Sequence, residues 1–172
     1  GCYLNNVSFH IRGNGHKILI DEAVRFNGGG SIWIEDTEGF LSIGKKTTFE
    51  NVHLSITEPK SKLTIGEDCM LAYDIDIRTG DSHSIISSET GERLNYAKNI
   101  IIGDHVWVAA HSCLLKGTVI GSNSVVATGS IVTGEFPDLN VIIGGSPAKI
   151  IKRGVTWDRR RIFREDGGSR CS

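Results

Sequence analysis

This sequence lacks any apolar run near the roughly 18 residues that a membrane-spanning helix requires, so no membrane span is expected. It lacks a basic, then apolar, then small-residue pattern at its start, and no secretory leader is expected. It lacks an excess of charge of either sign. Lys and Arg number 19 against 20 Asp and Glu, a formal net charge of -1, which argues against a general nucleic-acid binder. The four cysteines, Cys2, Cys69, Cys113 and Cys171, are scattered and make neither a CxxC nor a zinc spacing. They read as free thiols in a reducing compartment. Proline is scarce, three against 21 glycines, and helix signals are few. Such a chain turns often and at regular intervals. What is present is globular material: 172 residues, 39% hydrophobic and 23% charged, enough for one domain with a real core.

From Ile102 onward the chain divides into sixes: IGDHVW, VAAHSC, LLKGTV, IGSNSV, VATGSI. The first residues are Ile102, Val108, Leu114, Ile120 and Val126, and Val132 continues the series. All are aliphatic. Gly103, Ala109, Gly121 and Ala127 follow as small second residues. The fifth residues, Val106, Ser112, Thr118, Ser124 and Ser130, are small or β-branched. This is the hexapeptide signature of a β-helix. Each unit makes one short strand and one corner, and three units close a coil. Residues 18 apart then stack at the normal strand spacing of roughly 4.8 Å, which sets Ile102 on Ile120, Val108 on Val126 and Leu114 on Val132. One coil alone cannot bury these stacks.

Upstream the beat is looser. Ile65, Leu71 and Ile77 keep it, as do Ile43 and Phe49, and Ile20, Phe26 and Ile32 fit an early coil. Gly28–Gly30 and the "TEPKS" of 57–61 read as corner loops, and Pro137 as the end of the regular coils. After Ile77 the next position is 83, where His83 stands in place of an aliphatic residue, and a polar stretch follows up to Asn99. A solenoid loses little by looping out a segment at a corner, and such loops tend to carry function. "VTWDRRRIFRE" from Val155 to Glu165 reads as a short helix or irregular cap over the open end.

The repeats, together with "IIGDHVWVAAHSCLLKGTVIG", "VVATGSIVT" and "GGSPAKIIK", resemble the left-handed β-helix acyltransferases. "RTGDSHSI", "GERLNYAK" and "IIGDHVW" look most like the bacterial sugar and capsular polysaccharide O-acetyltransferases. The resemblance covers most of 65–153 and, more loosely, 18–64. It implies an all-β fold: a left-handed parallel β-helix over 1–153, an extruded loop at about 80–99, and a C-terminal helical cap with a flexible tail over 154–172. It also implies a cytoplasmic bacterial homotrimer that moves acetyl from acetyl-CoA to a sugar or polysaccharide hydroxyl, without a metal.

The family's catalytic histidine falls on His83, and Trp107, 24 residues later, matches its "VW" motif. A sugar hydroxyl attacks a thioester slowly unless a base takes its proton, and histidine suits that task at neutral pH. Asp81 is expected to orient the ring. An oxyanion needs donors, and the resemblance offers the Ala110 N–H, with Ala109 beside it. Direct transfer is the expected route. For the CoA chain, Ala127, Thr128 and Thr133 match the pantetheine positions, and Lys149, Lys152 and Arg153 are candidates for its phosphates. Gly134 stands where some members place lysine.

Other readings stay open. Trp107 can serve only to pack against the loop or a neighbouring subunit. His105 and His111 lie six apart, unlike the spacing of the β-helical carbonic anhydrases. Arg159, Arg160, Arg161 and Arg164 read as a solvated cap or a site for an anionic polymer. An N-acetyltransferase of amino-sugar nucleotides, an antibiotic acetyltransferase and a non-catalytic structural β-helix are the competing functions.

Overall fold

The computed structural model describes residues 1–163. The chain winds as a parallel β-solenoid with three sheets, and the described residues contain no helix. The first sheet has eight strands, from Tyr3–Leu4 to Ala148–Arg153. The second runs from Val7–Ile11 to Ile131–Val132 and the third from Lys17–Ile20 to Glu135–Phe136, with six strands each. Consecutive strands visit the three sheets in turn, so the sheets enclose one core as the sides of a prism.

The expected stacks form. Ile102 pairs with Ile120, Val108 with Val126 and Leu114 with Val132. All six are buried, and the columns continue down through Ile65, Leu71 and Ile77. The early coils are longer than 18 residues: Ile20 pairs with Ile43, Ile43 with Ile65 and Phe26 with Phe49. Phe26 and Phe49 stack ring on ring at 4.1 Å. The extra length lies mainly in the strands that flank one corner. Val52–Ile56 has five residues and Lys62–Ile65 four, against two each in Cys113–Leu114 and Val119–Ile120, while the connection between second and third sheets is five residues at 57–61 and four at 115–118.

The corner between the third and first sheets has four residues in every coil. There the small residue after the aliphatic one is needed because neighbouring coils approach closely. A Cβ on Gly66 would lie 2.6 Å from the Gly103 carbonyl carbon, and one on Gly103 would lie 2.8 Å from the Ser122 amide nitrogen. The buried fifth residues return their hydroxyls to the corners. Ser112 Oγ donates to the Ala109 carbonyl at 2.8 Å, and Thr118 Oγ1 to the Val132 carbonyl at 3.0 Å. These buried hydroxyls thus stay paired.

The helical cap is a correction. Val141–Gly145 turns back at Ser146-Pro147, and Ala148–Arg153 pairs with it antiparallel, closing the edge of the first sheet. The segment that follows, 154–163, is extended and runs back along the third-to-first corner. Val155 N donates to the Asn140 carbonyl, and Trp157 Nε1 to the His105 carbonyl at 2.8 Å. Arg159 donates to Asp68, Thr48 and the Cys69 carbonyl. A helix this short is marginal alone, while the extended course buries Trp157 and fills corner carbonyls. Arg164, Cys171 and the tail read as flexible lie outside the described residues. Cys2, Cys69 and Cys113 are unpaired thiols.

Candidate active site

The break in the beat is the fourth passage across the second-to-third corner. Between Ile75–Arg78 and Ile100–Ile102 the chain extrudes residues 79–99, after which Ile102 resumes the column of Ile65. His83 therefore takes no core place. It sits exposed at the base of the loop, with its amide bonded to the Asp81 carbonyl at 2.8 Å. Residues 85–94 fold on themselves: Ile86 bridges Arg93, and Leu94 N donates to the Ile85 carbonyl.

Asn95, which the sequence reading passed over, ties the loop's two ends together. It is buried, and its Nδ2 donates to Asp81 Oδ2 at 2.8 Å and to the His83 carbonyl at 2.7 Å. Its Oδ1 accepts from Ile85 N at 2.7 Å. Lys116, at the same corner one coil on, donates to Asp81, and Arg93 pairs with Glu58 one coil back. The Asp81 carboxylate is thus engaged by Lys116 and Asn95, and no hydrogen bond joins it to the His83 ring among the described residues. Partial burial pushes the Asp81 carboxyl up, but the hydrogen bonds from Lys116 and Asn95 and the charges of Lys116 and Arg78 outweigh it and hold it below the usual range.

The His83 ring lines an open cleft of about 460 Å³ with Trp33, Glu35, His53, Ser55, Arg78 and Ser82. Trp33, His53, Ser55 and Arg78 come from the outward side of the second sheet, where alternate positions face away from the core, while Glu35 and Ser82 come from the connections that follow its strands. Burial pushes the His53 imidazole below its ordinary value. Its Nδ1 lies 2.5 Å from Ser31 Oγ.

Trp107 is elsewhere. It faces outward from the first sheet, between Met70 and Val125, with its ring 6.2 Å from Trp157. The first sheet is the prism side opposite the corner that carries His83, so one protomer does not bring the two together. Ala109, Ala110, Ala127 and Thr128 share the first-to-second corner beyond Trp107. Ala109 N and Ala127 N donate to the Val126 and Ile143 carbonyls, while the Ala110 N–H has no partner among the described residues. Thr133 lies at the His83 corner, two coils on. Lys149, Lys152 and Arg153 are exposed on the terminal hairpin, with Arg153 bonded to Asp138 at 2.7 Å.

His105 and His111 are corner residues with positive φ, 52° and 59°. Each binds an aspartate of the preceding coil, Asp68 at 2.8 Å and Asp74 at 2.7 Å. No cluster of three or more His, Cys, Asp or Glu side chains suited to a metal ion occurs among the described residues. No described helix is long and apolar enough to cross a membrane.

No family model matches the chain. It is 40% identical to the polysialic acid O-acetyltransferase of Neisseria meningitidis over 154 residues, covering 90% of this chain and 71% of that protein. It is 36% identical to the polysialic acid O-acetyltransferase of Escherichia coli O1:K1 over 133 residues, 76% of this chain and 42% of that protein. Among solved structures it matches the polySia-specific acetyltransferase NeuO with a TM-score of 0.69 and 34% identity, over 98% of this chain and 78% of that one.

Proposed function

The chain belongs to the hexapeptide-repeat O-acetyltransferase family, and on that premise we propose that it moves the acetyl group of acetyl-CoA to a hydroxyl of a polysaccharide, with His83 as general base. The observation that carries this reading is His83 itself. It is held at the base of an anchored loop, its ring is free of protein hydrogen bonds among the described residues, and it opens into a polar cleft. His83 takes the hydroxyl proton as the oxygen attacks the thioester carbon. The oxyanion is met by a backbone donor, for which the unpartnered Ala110 N–H is the candidate. Collapse breaks the C–S bond, and the CoA thiolate takes the proton from the imidazolium. Asp81 acts through Asn95 and Lys116, as a positioning residue for the loop base.

Trp107, Ala109, Ala110, Ala127 and Thr128 complete the site when a second copy sets its first sheet against the His83 corner. A homotrimer does this three times in a closed ring. The outward residues Met70, Trp107 and Ile142, with Ile101 exposed on the third sheet, supply apolar surface for the contact. Lys149, Lys152 and Arg153 remain the candidates for the CoA phosphates. Acetyl-CoA supply places the reaction in the cytoplasm.

The test is a coupled measurement with acetyl-CoA and polysialic acid. Thiol release and ester formation on the polymer, read by NMR, should rise together and require both substrates. Thiol release with no ester on the glycan would sink the reading. Light scattering should give a trimer, and a fully active monomer would overturn the shared site.

A further inference from the structure

We propose that the outward face of the second sheet is a track for an extended polysaccharide chain, leading from the His83 cleft across the preceding coils. It rests on the acceptor reading above and adds the surface that grips the polymer away from the reacting hydroxyl.

Strand register lays out two rows of side chains on this face. Ser8, Ser31, His53 and Asp76 form one, and His10, Trp33, Ser55 and Arg78 the other. Two open clefts, of about 350 and about 460 Å³, meet at His53 and make the rows one groove. The far cleft is lined by hydroxyl and amide groups of Asn6, Ser8, Ser31 and Asn51. The near cleft holds Trp33 and ends at His83. Strand spacing makes the three steps from Arg78 back to the first coil roughly 14 Å, the span of about three sugar units.

The chemistry fits a sugar chain. Hydroxyls and amides both donate and accept, as sugar hydroxyls do. Trp33 is half-buried, with the Arg12 guanidinium over its ring at 5.4 Å and His10 4.9 Å away, and the uncovered part of the indole gives apolar surface for a sugar's C–H groups. The two arginines on the face each hold a carboxylate of the protein, Arg12 with Glu35 at 3.7 Å and Arg78 with Asp76 at 2.5 Å. Asp76 Oδ1 and Arg78 Nε are nonetheless buried without a partner among the described residues. The first row changes beyond Asp76, where Cys113 and Ile131 follow, so the track does not continue past the loop.

The test uses oligomers of sialic acid, from dimer to hexamer, with affinity by calorimetry and kcat/KM by thiol release. Wild-type affinity and kcat/KM should rise about tenfold with length. Trp33→Ala should abolish the rise, and Trp33→Tyr should restore most of it. Asn51→Ala, on the far cleft, should reduce the gain for the hexamer alone and keeps the question open to measurement if Trp33→Ala fails to fold. Equal turnover of short and long oligomers, or an unchanged length dependence in Trp33→Ala, would overturn the track while leaving acetyl transfer intact. Trp33-dependent binding of long oligomers with no acetylation would uphold the track and sink the proposed reaction.

Discussion

Two corners of the same prism obey opposite rules. Between the third and first sheets every coil turns in four residues. Between the second and third, the connections at 35–39 and 57–61 have five residues, 79–99 has grown into the loop that presents His83, and 133–134 has shrunk to two. The first corner is held by contact between coils. Gly66 and Gly103 leave no room for a Cβ, and Asp68, His105 and Arg159 clasp successive turns. The second also makes contact between coils, with Glu38 N bonded to the Asn14 carbonyl and Lys60 N to the Thr37 carbonyl, yet its length changes from coil to coil. A solenoid can therefore keep its core register at one vertex and build a site at another.

The sharpest contrast is between the core and the loop. Val126 is fully buried between Val108 and Ile143. Val126→Asp should place an unpaired charge there at a cost of about 3–5 kcal/mol, a large part of a domain's stability. Ile85→Asp, at an exposed loop position, should stay within about 0.5 kcal/mol. Denaturant titration of both variants decides it, and a soluble, cooperative Val126→Asp protein would break the register described above.

At the open corner the loss should be in rate. His83→Ala should leave the melting temperature nearly unchanged and lower acceptor-dependent turnover by roughly 10²–10⁴-fold, the usual worth of a general base. Asp81→Asn should cost less, since Asn95 still bonds the His83 carbonyl. Retention of most turnover in His83→Ala would move the base elsewhere, with His111 the next residue to replace.

Gly66→Ala tests the fixed corner more gently. Its Cβ would meet Asp104 Oδ1 at 2.4 Å and Gly103 backbone at 2.6 Å. A destabilisation of about 1–3 kcal/mol is expected, against almost none for Glu89→Ala at the exposed loop tip. Equal stability of the two variants would erase the distinction between the corners.

Acid should give the smallest effect. Asp68 and Asp81 hold equivalent posts on the two corners, each raised by partial burial and lowered further by its partners, His105 and Arg159 in one case, Lys116 and Asn95 in the other. A folded pKa below the ordinary carboxylate value near 3.9 means the stabilisation is complete above that pH. It is lost as pH falls through the lower folded value. Surface screening keeps each contribution to about 1 kcal/mol or less. Trp157 fluorescence, followed below pH 4, should report release of the 154–163 segment, and Asp68→Asn should flatten that change.

The sixfold beat carried the core register without any tertiary knowledge, because an aliphatic residue that recurs at each strand must stack on its neighbour. Ile102, Val108 and Leu114 pair as their spacing requires. The same beat misjudged the early coils, since longer strands such as the five residues of Val52–Ile56 keep the same faces inward while lengthening the coil. It also could not rule on 155–163, whose Trp157 and Arg159 are drawn out by carbonyls on distant coils. His83 was legible as a break in pattern. Asn95 and His53 were not, because Asn95 meets His83 12 positions back and Asp81 14 positions back, and His53 meets Ser31 22 positions back.

By itself the sequence determined a stacked β-solenoid, its core columns and the place where one corner is looped out, since these follow from short-range periodicity and the need to bury aliphatic faces. Only the tertiary structure decided which residues share a face. It set Trp33 and Arg78 beneath His83, tied Asp81 to Lys116 rather than to the imidazole, and put Trp107 on the opposite side of the prism. The reason is that stacking brings together residues a whole coil apart, and the length of each coil is set by strand and corner lengths that the beat does not fix.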